Sequence, residues 1–291
     1  HFCDGMTDAL NGRLSNIREL KVIATTSVMR FKGASRDVKE IAAELGVNHI
    51  LEGSIQRERD RIRVTAQLIA AATGFHLWSE TYDERVESVF DLQDRITMAI
   101  ADALRLKLGR GASMAERRPK SLEAYEYYMR GLSYTKSRYI VSFRDEDFEA
   151  SVAMFERALE LEPDYVDALL GLVWTYEHRY QVTDDTLYSD LMRRTLNRAY
   201  ALDSLRASTN AVKGYAAYEY GSDADGAFRY LRRALELNPN DDLVYMLPGY
   251  YLLYLGLYEQ AIPYIEKGVA LDPQYFWSPY KLGWCYSGIG D

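Results

Sequence analysis

Ala158-Leu-Glu-Leu-Glu-Pro163, Ala199-Tyr-Ala-Leu-Asp-Ser204, Ala234-Leu-Glu-Leu-Asn-Pro239 and Gly268-Val-Ala-Leu-Asp-Pro273 are one phrase written four times. Their starts lie 41, 35 and 34 residues apart. Each phrase closes an amphipathic stretch with Pro or Ser, residues that stop a helix and turn the chain, and another amphipathic stretch follows. The unit is therefore helix, tight turn, helix, recurring every 34 residues or so, and such a unit buries its apolar side only by stacking on its neighbours. An all-α solenoid over residues 121–291 is expected, with four helix pairs and the opening helix of a fifth.

Position-specific residues carry this further. Leu282-Gly283, Tyr286 and Gly290 fall where a first helix needs large and small residues to alternate; Tyr258, Ala261, Ile265, Gly268 and Pro273 do so for a second helix, as do Phe148, Ser151, Phe155, Ala158 and Pro163. Small residues admit a close helix approach and large ones fill the gap. The pattern resembles the tetratricopeptide repeat family. It departs from it in about eight extra residues around Ile140 to Asp147, a similar stretch near Thr183 to Tyr188, and Ser204 in place of Pro.

The remainder of the chain differs in kind. Of 24 tyrosines only Tyr82 precedes Pro119, and the charge splits likewise: 18 Lys/Arg against 17 Asp/Glu before Pro119, 17 against 26 from there on. Residues 109–120 hold two glycines, a proline and four cations without apolar period, the chemistry of a linker. Residues 1–108 read as an α/β layer: a helix over 6–19 with Leu10, Leu14 and Ile17, a strand from Leu20 to Val28, and a short helix opened by Asp37 and closed by Gly46. Strand-like runs follow at Val47 to Ile55, Ile62 to Ala71 and Phe75 to Tyr82, then a helix from Phe90 to Leu108. A first strand is expected to precede His1, and a partner helix to follow Asp291.

Phe2-Cys-Asp-Gly-Met-Thr-Asp-Ala-Leu, Leu20-Lys-Val-Ile-Ala, Ile41-Ala-Ala-Glu-Leu-Gly-Val, Leu51-Glu-Gly-Ser, Arg61-Ile-Arg-Val-Thr-Ala-Gln-Leu, His76-Leu-Trp-Ser-Glu-Thr-Tyr-Asp and Phe90-Asp-Leu-Gln-Asp occur in this order. Together they resemble the TolB-amino-terminal-like (FlgO-like) domain. That resemblance implies an accessory or sensory segment ahead of tetratricopeptide repeats, attached in bacterial relatives to class III adenylate cyclases, protein kinases or CadC-like winged-helix regulators. It fits a cytoplasmic and a periplasmic setting equally, so the compartment stays open.

Composition excludes several classes. At net charge −8 and without a basic stripe, direct nucleic-acid binding is disfavoured. No apolar run reaches the roughly 18–20 residues of a membrane span. Cys3 and Cys285 lack ligand or disulfide spacing. His49, His76 and His178 stand apart from one another, so no metal or cofactor is expected; alternation puts His76 on one face with Trp78 and Tyr82, a half-buried packing role. Gly53 reads as a glycine in a strand where backbones approach closely. Glu80, Asp83, Glu84 and Glu87 read as a solvated turn. No nucleophile, base and orienter can be assembled, and a catalytic site is not expected.

Chemistry concentrates instead in a groove. In tetratricopeptide arrays the first helix of each pair lines the concave face, and the repeat registers place Trp174, Tyr215, Tyr250 and Trp284 at one inner position. Neighbouring positions add Tyr128, Tyr218, Tyr254, Trp277 and Tyr280. Interhelix packing is the competing role for each ring. Such rings are the residues that dominate binding hot spots. The Lys and Asn that clamp a peptide carboxylate in some family members are replaced by Leu170, Gly171, Ala211, Val212, Met246 and Leu247. The expected ligand is an apolar or aromatic peptide or protein segment with basic flanks, drawn by Glu177 and Glu219. The expected function is non-enzymatic interaction and regulation, coupled to an output domain; the alternative is a small-ligand-sensing regulatory segment of a cyclase, kinase or membrane-anchored transcription regulator.

Overall fold

The computed structural model describes residues 2–17, 19–34, 36–105, 119–135, 139–221, 223–273 and 277–290. Two compact units form, one of Cys3–Arg118 with Val269–Phe276, the other of His1–Phe2, Pro119–Gly268 and Trp277–Asp291. The expected linker falls almost wholly outside the described residues.

In the first unit, α1 (Phe2–Ser15), α2 (Thr25–Val28) and α3 (Val38–Leu45) precede the strands β1 (His49–Glu58), β2 (Arg61–Ala70) and β3 (His76–Arg85), and α4 (Val89–Ala103) follows. The sheet is antiparallel in the order β1-β2-β3. Its links are too short for a parallel crossover, so the layer is a meander covered by helices and not a parallel α/β sheet. Ile62, Val64, Ala66 and Leu68 alternate inward along β2 and are buried, as are Leu92, Ile96 and Ile100 on α4. Arg13 on α1 pairs with Asp94 on α4 at 2.7 Å.

Asp37 caps α3 by accepting from Lys39 N, and Gly46 ends it in the left-handed region at φ 64°. A Cβ on Gly53 would collide with the Thr65 carbonyl oxygen and stand 3.4 Å from Ala66 Cα, which is the close backbone approach a strand glycine permits. Two expectations fail. Leu20 to Val28 is not a strand: residues 20–24 join no ladder and Thr25–Val28 is a helical turn. His76 is exposed rather than half-buried, because a register shift between Leu68 and Ile69 sets it opposite Ile69 and resets the alternation before Trp78.

The second unit is helical: α5 (Leu122–Tyr134), the single turn α6 (Ile140–Ser142), α7 (Asp145–Leu161), α8 (Val166–Thr183), α9 (Thr186–Leu202), α10 (Ala207–Glu219), α11 (Ala224–Leu237), α12 (Leu243–Tyr254), α13 (Tyr258–Leu271) and α14 (Trp277–Ile289). These are tetratricopeptide-like helical repeats. Bulky residues three positions before the repeated phrase provide the interlock. Phe155 is fully buried, and Cβ atoms on Gly131 of α5 and Gly171 of α8 would stand 2.7 Å from its Cδ1 and 2.5 Å from its Cζ. Leu231 meets Gly214, Ile265 meets Gly249 and Met246 meets Gly268 in the same manner. Large residue against glycine lets each pair close.

The two insertions resolve differently. Around Ile140 the added residues bury Tyr139 completely, turn through α6 and reverse at Phe143 in the left-handed region, φ 53°. Asp147, itself buried, holds that corner by accepting from Ser142 Oγ at 2.8 Å and Arg144 Nη2 at 2.9 Å. Near Thr183 the extra residues lengthen helices instead, giving 18 residues in α8 and 17 in α9.

Candidate functional site: an aromatic face on the first helices

The inner position of α8 and α10 carries Trp174 and Tyr215. Their rings stack, with centroids 6.3 Å apart and planes inclined by 30°. Beneath them lies Glu177, 4% exposed at its side chain, whose Oε1 accepts from Tyr215 Oη at 2.9 Å and also from Gln181 Nε2. His178 Nδ1 is 2.7 Å from the Trp174 carbonyl oxygen and 3.2 Å from Glu177 Oε2. Burial raises the Glu177 carboxyl above its ordinary value of 4.5, against the lowering influence of His178 and the Tyr215 hydroxyl. Burial, with the Glu177 charge close by, likewise raises Tyr215 far above the usual phenol range, keeping its hydroxyl a donor. Tyr220 completes the group edge-on to Tyr215 at 6.2 Å, and Tyr180 meets Tyr220 edge-on at 5.5 Å.

A second group gathers on α12 and α14. Lys281 Nζ lies 4.7 Å from the Tyr254 ring centroid, 5.2 Å from Trp284, 5.8 Å from Tyr250 and 6.0 Å from Tyr280, and donates to Tyr254 Oη at 2.7 Å. Tyr254 and Trp284 meet edge-on at 6.1 Å, and both remain more than two-fifths exposed. An ammonium within about 6 Å of several rings is held by their quadrupoles. The pattern of aromatic residues did not disclose Lys281, although its place three residues before Trp284 and one after Tyr280 was visible.

The other expected groove residues are spent differently. Tyr128 packs on Tyr165 at 5.2 Å and Phe155 at 6.1 Å, within the helix stack. Tyr218 meets Tyr251 edge-on at 4.4 Å. Trp277 opens α14, but its side chain lies outside the described set. Glu80, Asp83 and Glu84 are ordered rather than merely solvated: Asp83 pairs with Arg61 at 2.5 Å and Arg63 at 2.7 Å, Glu84 with Arg95 at 2.5 Å, and Glu80 accepts from Tyr82 at 2.7 Å. Hydrogen bonds from Arg63 and Arg61 hold the Asp83 carboxyl below the usual carboxylate range. Among the described residues, no three His, Cys, Asp or Glu side chains are placed to hold a metal ion. Nor, among those residues, is any helix long and apolar enough to cross a membrane.

Comparison with known proteins finds one repeat of this class. Residues 244–275 match the tetratricopeptide repeat model. A Rhizobium meliloti (strain 1021) protein, provisionally named adenylate cyclase 3, is 37% identical over 174 residues, which cover 59% of this chain and 29% of that protein. The chain thus spans under a third of the length of this relative. Among solved structures, MamA overlaps 58% of this chain and 83% of its own at 22% identity and a TM-score of 0.38. YrrB, described as a repeat protein of this class with an unusual peptide-binding site, covers 62% and 85% at 19% identity and a TM-score of 0.36. A human IFIT1 dimer with m7Gppp-AAAA covers 98% and 58% at 16% identity and a TM-score of 0.48. A repeat of this class is in general a protein-interaction scaffold and not a catalyst.

Proposed function

We propose that the chain is a non-enzymatic interaction and regulatory module whose second unit binds an apolar or aromatic peptide or protein segment along the first helices of its repeats. The observation that carries this is the pair of aromatic groups on α8/α10 and α12/α14. Stacked Trp174 and Tyr215 sit over a buried carboxylate, and half-exposed Tyr254 and Trp284 surround Lys281. Rigid amphipathic rings lose little entropy on binding and dominate hot spots. Glu177, expected to draw basic flanks, is instead buried against Tyr215, so exposed Glu219 is left to favour them, while Lys281 gives the far end a donor for an acidic or carbonyl group.

Within this proposal the first unit is a TolB-amino-terminal-like accessory domain, and the pair is the regulatory arm of a longer protein. The stretch shared with the cyclase-named relative supports that arrangement and gives a second reading, a ligand-sensing segment of such an enzyme. The module has no cofactor of its own in either reading.

Peptides selected on the immobilised 291-residue chain from a random display library should be rich in aromatic and apolar residues. Replacing Trp174 and Tyr250 with Ala together should abolish their binding while far-ultraviolet dichroism is retained. Equal binding by the double variant removes the groove from the proposal. Thermal-shift screening of the whole chain against nucleotides and metabolites tests the second reading, which a flat panel would sink.

A further inference from the structure

We propose that the notch between the second helices α11 and α13, floored by α12, binds a small carboxylate carried on an aromatic or aliphatic body. This does not rest on the groove reading. It rests on a comparison of two equivalent notches in the repeats.

A cavity of about 480 Å³ lies between α7 and α9 over α8, and one of about 410 Å³ lies between α11 and α13 over α12. Aligning the repeated phrase pairs their linings position by position: Leu159 with Leu235, Leu172 with Pro248, Tyr176 with Leu252 and Thr195 with Tyr264. The two notches are thus one feature of the repeat, and they differ in charge. Between α7 and α9, Glu156 and Glu160 line one wall while Arg194 and Arg198 line the other. The signs balance, and Arg198 is further engaged by donating to the Pro163 carbonyl oxygen. A charged ligand finds no unmet partner there.

Between α11 and α13 the place of Glu156 is taken by Arg232 and that of Arg194 by Pro263. Arg229 and Arg232, one turn apart on the same side of α11, both line this cavity. Among the described residues neither has a hydrogen bond, ion pair or ring contact, whereas Arg233 beside them pairs with Glu236 at 3.1 Å. Acids outnumber cations from Pro119 on, 26 against 17, so the pair is unanswered for want of a placed acid and not for want of acids. Asp225, the acid on the rim, makes no ion pair with either, and the lining keeps a net positive charge. The rest of the notch suits an apolar body. Pro248 and Leu252 are buried in its floor, and Phe228, 49% exposed, is held edge-on to Tyr251 at 4.9 Å. Half-buried Tyr264 adds a hydroxyl on the α13 side. The volume falls within the roughly 300–1,000 Å³ of small-molecule sites, and two adjacent guanidinium groups are the usual partners of a carboxylate.

The probes are naphthaleneacetate, phenylbutyrate and octanoate, titrated calorimetrically into the 291-residue chain, with the amide of each as its uncharged counterpart. Saturable binding of at least one carboxylate at a single site is expected, weakened by roughly tenfold or more in its amide. Arg232→Glu, at an exposed position, gives the notch the charge of its α7–α9 counterpart and should weaken the carboxylate to the same degree. Arg229→Gln combined with Arg232→Gln should do so too. Trp174→Ala should leave the binding unchanged, which separates the notch from the groove. No saturable binding by any of the three probes, equal binding of carboxylate and amide, or an Arg232→Glu chain that binds like the parent overturns the inference. Loss of binding in Trp174→Ala also overturns it and moves the carboxylate to the groove.

Discussion

Replacing Gly171 with Ala places a methyl group on Phe155. Its Cβ would stand 2.5 Å from Phe155 Cζ and 3.0 Å from Cδ1, where unstrained carbon contacts need about 3.5 Å or more. The ring must therefore retreat by about 1 Å. It has little room, since it is fully buried and the same edge faces Gly131 of α5 at 2.7 Å from that residue's virtual Cβ. Overpacking costs roughly 1–3 kcal/mol, a contact about 1 Å too short takes the upper part of that range, about 2–3 kcal/mol, and the gain of Ala over Gly in a helix returns roughly 1 kcal/mol. A net loss of about 1–2 kcal/mol is expected. Gly283→Ala is the internal control, because open space leaves only the helix gain, and it should stabilise by up to about 1 kcal/mol. Urea unfolding followed by dichroism at 222 nm on the whole chain measures both. Phe155→Leu should cost less in the Gly171→Ala chain than in the parent, the signature of a shared contact. Stability equal to or above the parent for Gly171→Ala, or no coupling to Phe155, refutes the interlock.

Three further outcomes follow from the same geometry. The folded state raises the Glu177 carboxyl above 4.5, so its protonated form favours folding: that contribution is fully present below about pH 4.5 and is lost as pH rises through the raised value. The melting temperature of the parent minus that of Glu177→Gln should accordingly fall across this window; a flat difference would remove the buried-charge argument. Gly53→Ala should destabilise the first unit by about 1–3 kcal/mol, because its methyl meets backbone rather than a movable side chain, and hydrogen exchange of β1 and β2 amides should quicken while α8–α11 amides are unaffected. Arg179, 15% exposed at its side chain, pairs with Asp145 at 2.6 Å and lies 4.9 Å from the Phe148 ring, so Arg179→Ala should lower the helical unfolding midpoint by an amount equivalent to about 1–3 kcal/mol; an unchanged midpoint would show the insertion corner to be held by Asp147 instead.

The helical repeats were legible because their evidence is redundant. Ala158, Ala199, Ala234 and Gly268 recur at positions where only a small residue fits, so the period and the packing rule state the same thing twice. The meander was legible for a related reason: two-fold alternation along β2 has one buried face and one wet one. Leu20 to Val28 was misread because a β-branched apolar run fixes neither a ladder partner nor a helix. Ser27, fully buried, belongs to a short helical turn that periodicity over nine residues cannot register. His76 was misplaced by a single register shift, which propensity does not encode and which parts it from the face that Trp78 and Tyr82 share. Tyr139 was missed as a core residue since its insertion belongs to no repeat position.

The groove was half legible, and the missing half is instructive. A repeat register gives the angular position of a ring on its helix, but neighbouring helices decide whether that ring is spent. Trp174 and Tyr215 share a register position and stack; Tyr128, Tyr218 and Tyr280 sit at others and meet Tyr165, Tyr251 and the Lys281 ammonium. Lys281 gathers Tyr250, Tyr254, Tyr280 and Trp284 into one group, and Glu177 holds Tyr215 beside Trp174 in another. If both groups line one groove, Trp174→Ala and Trp284→Ala should each weaken the same selected peptide. A peptide weakened by one substitution and untouched by the other would show two separate contact sites instead of one continuous face.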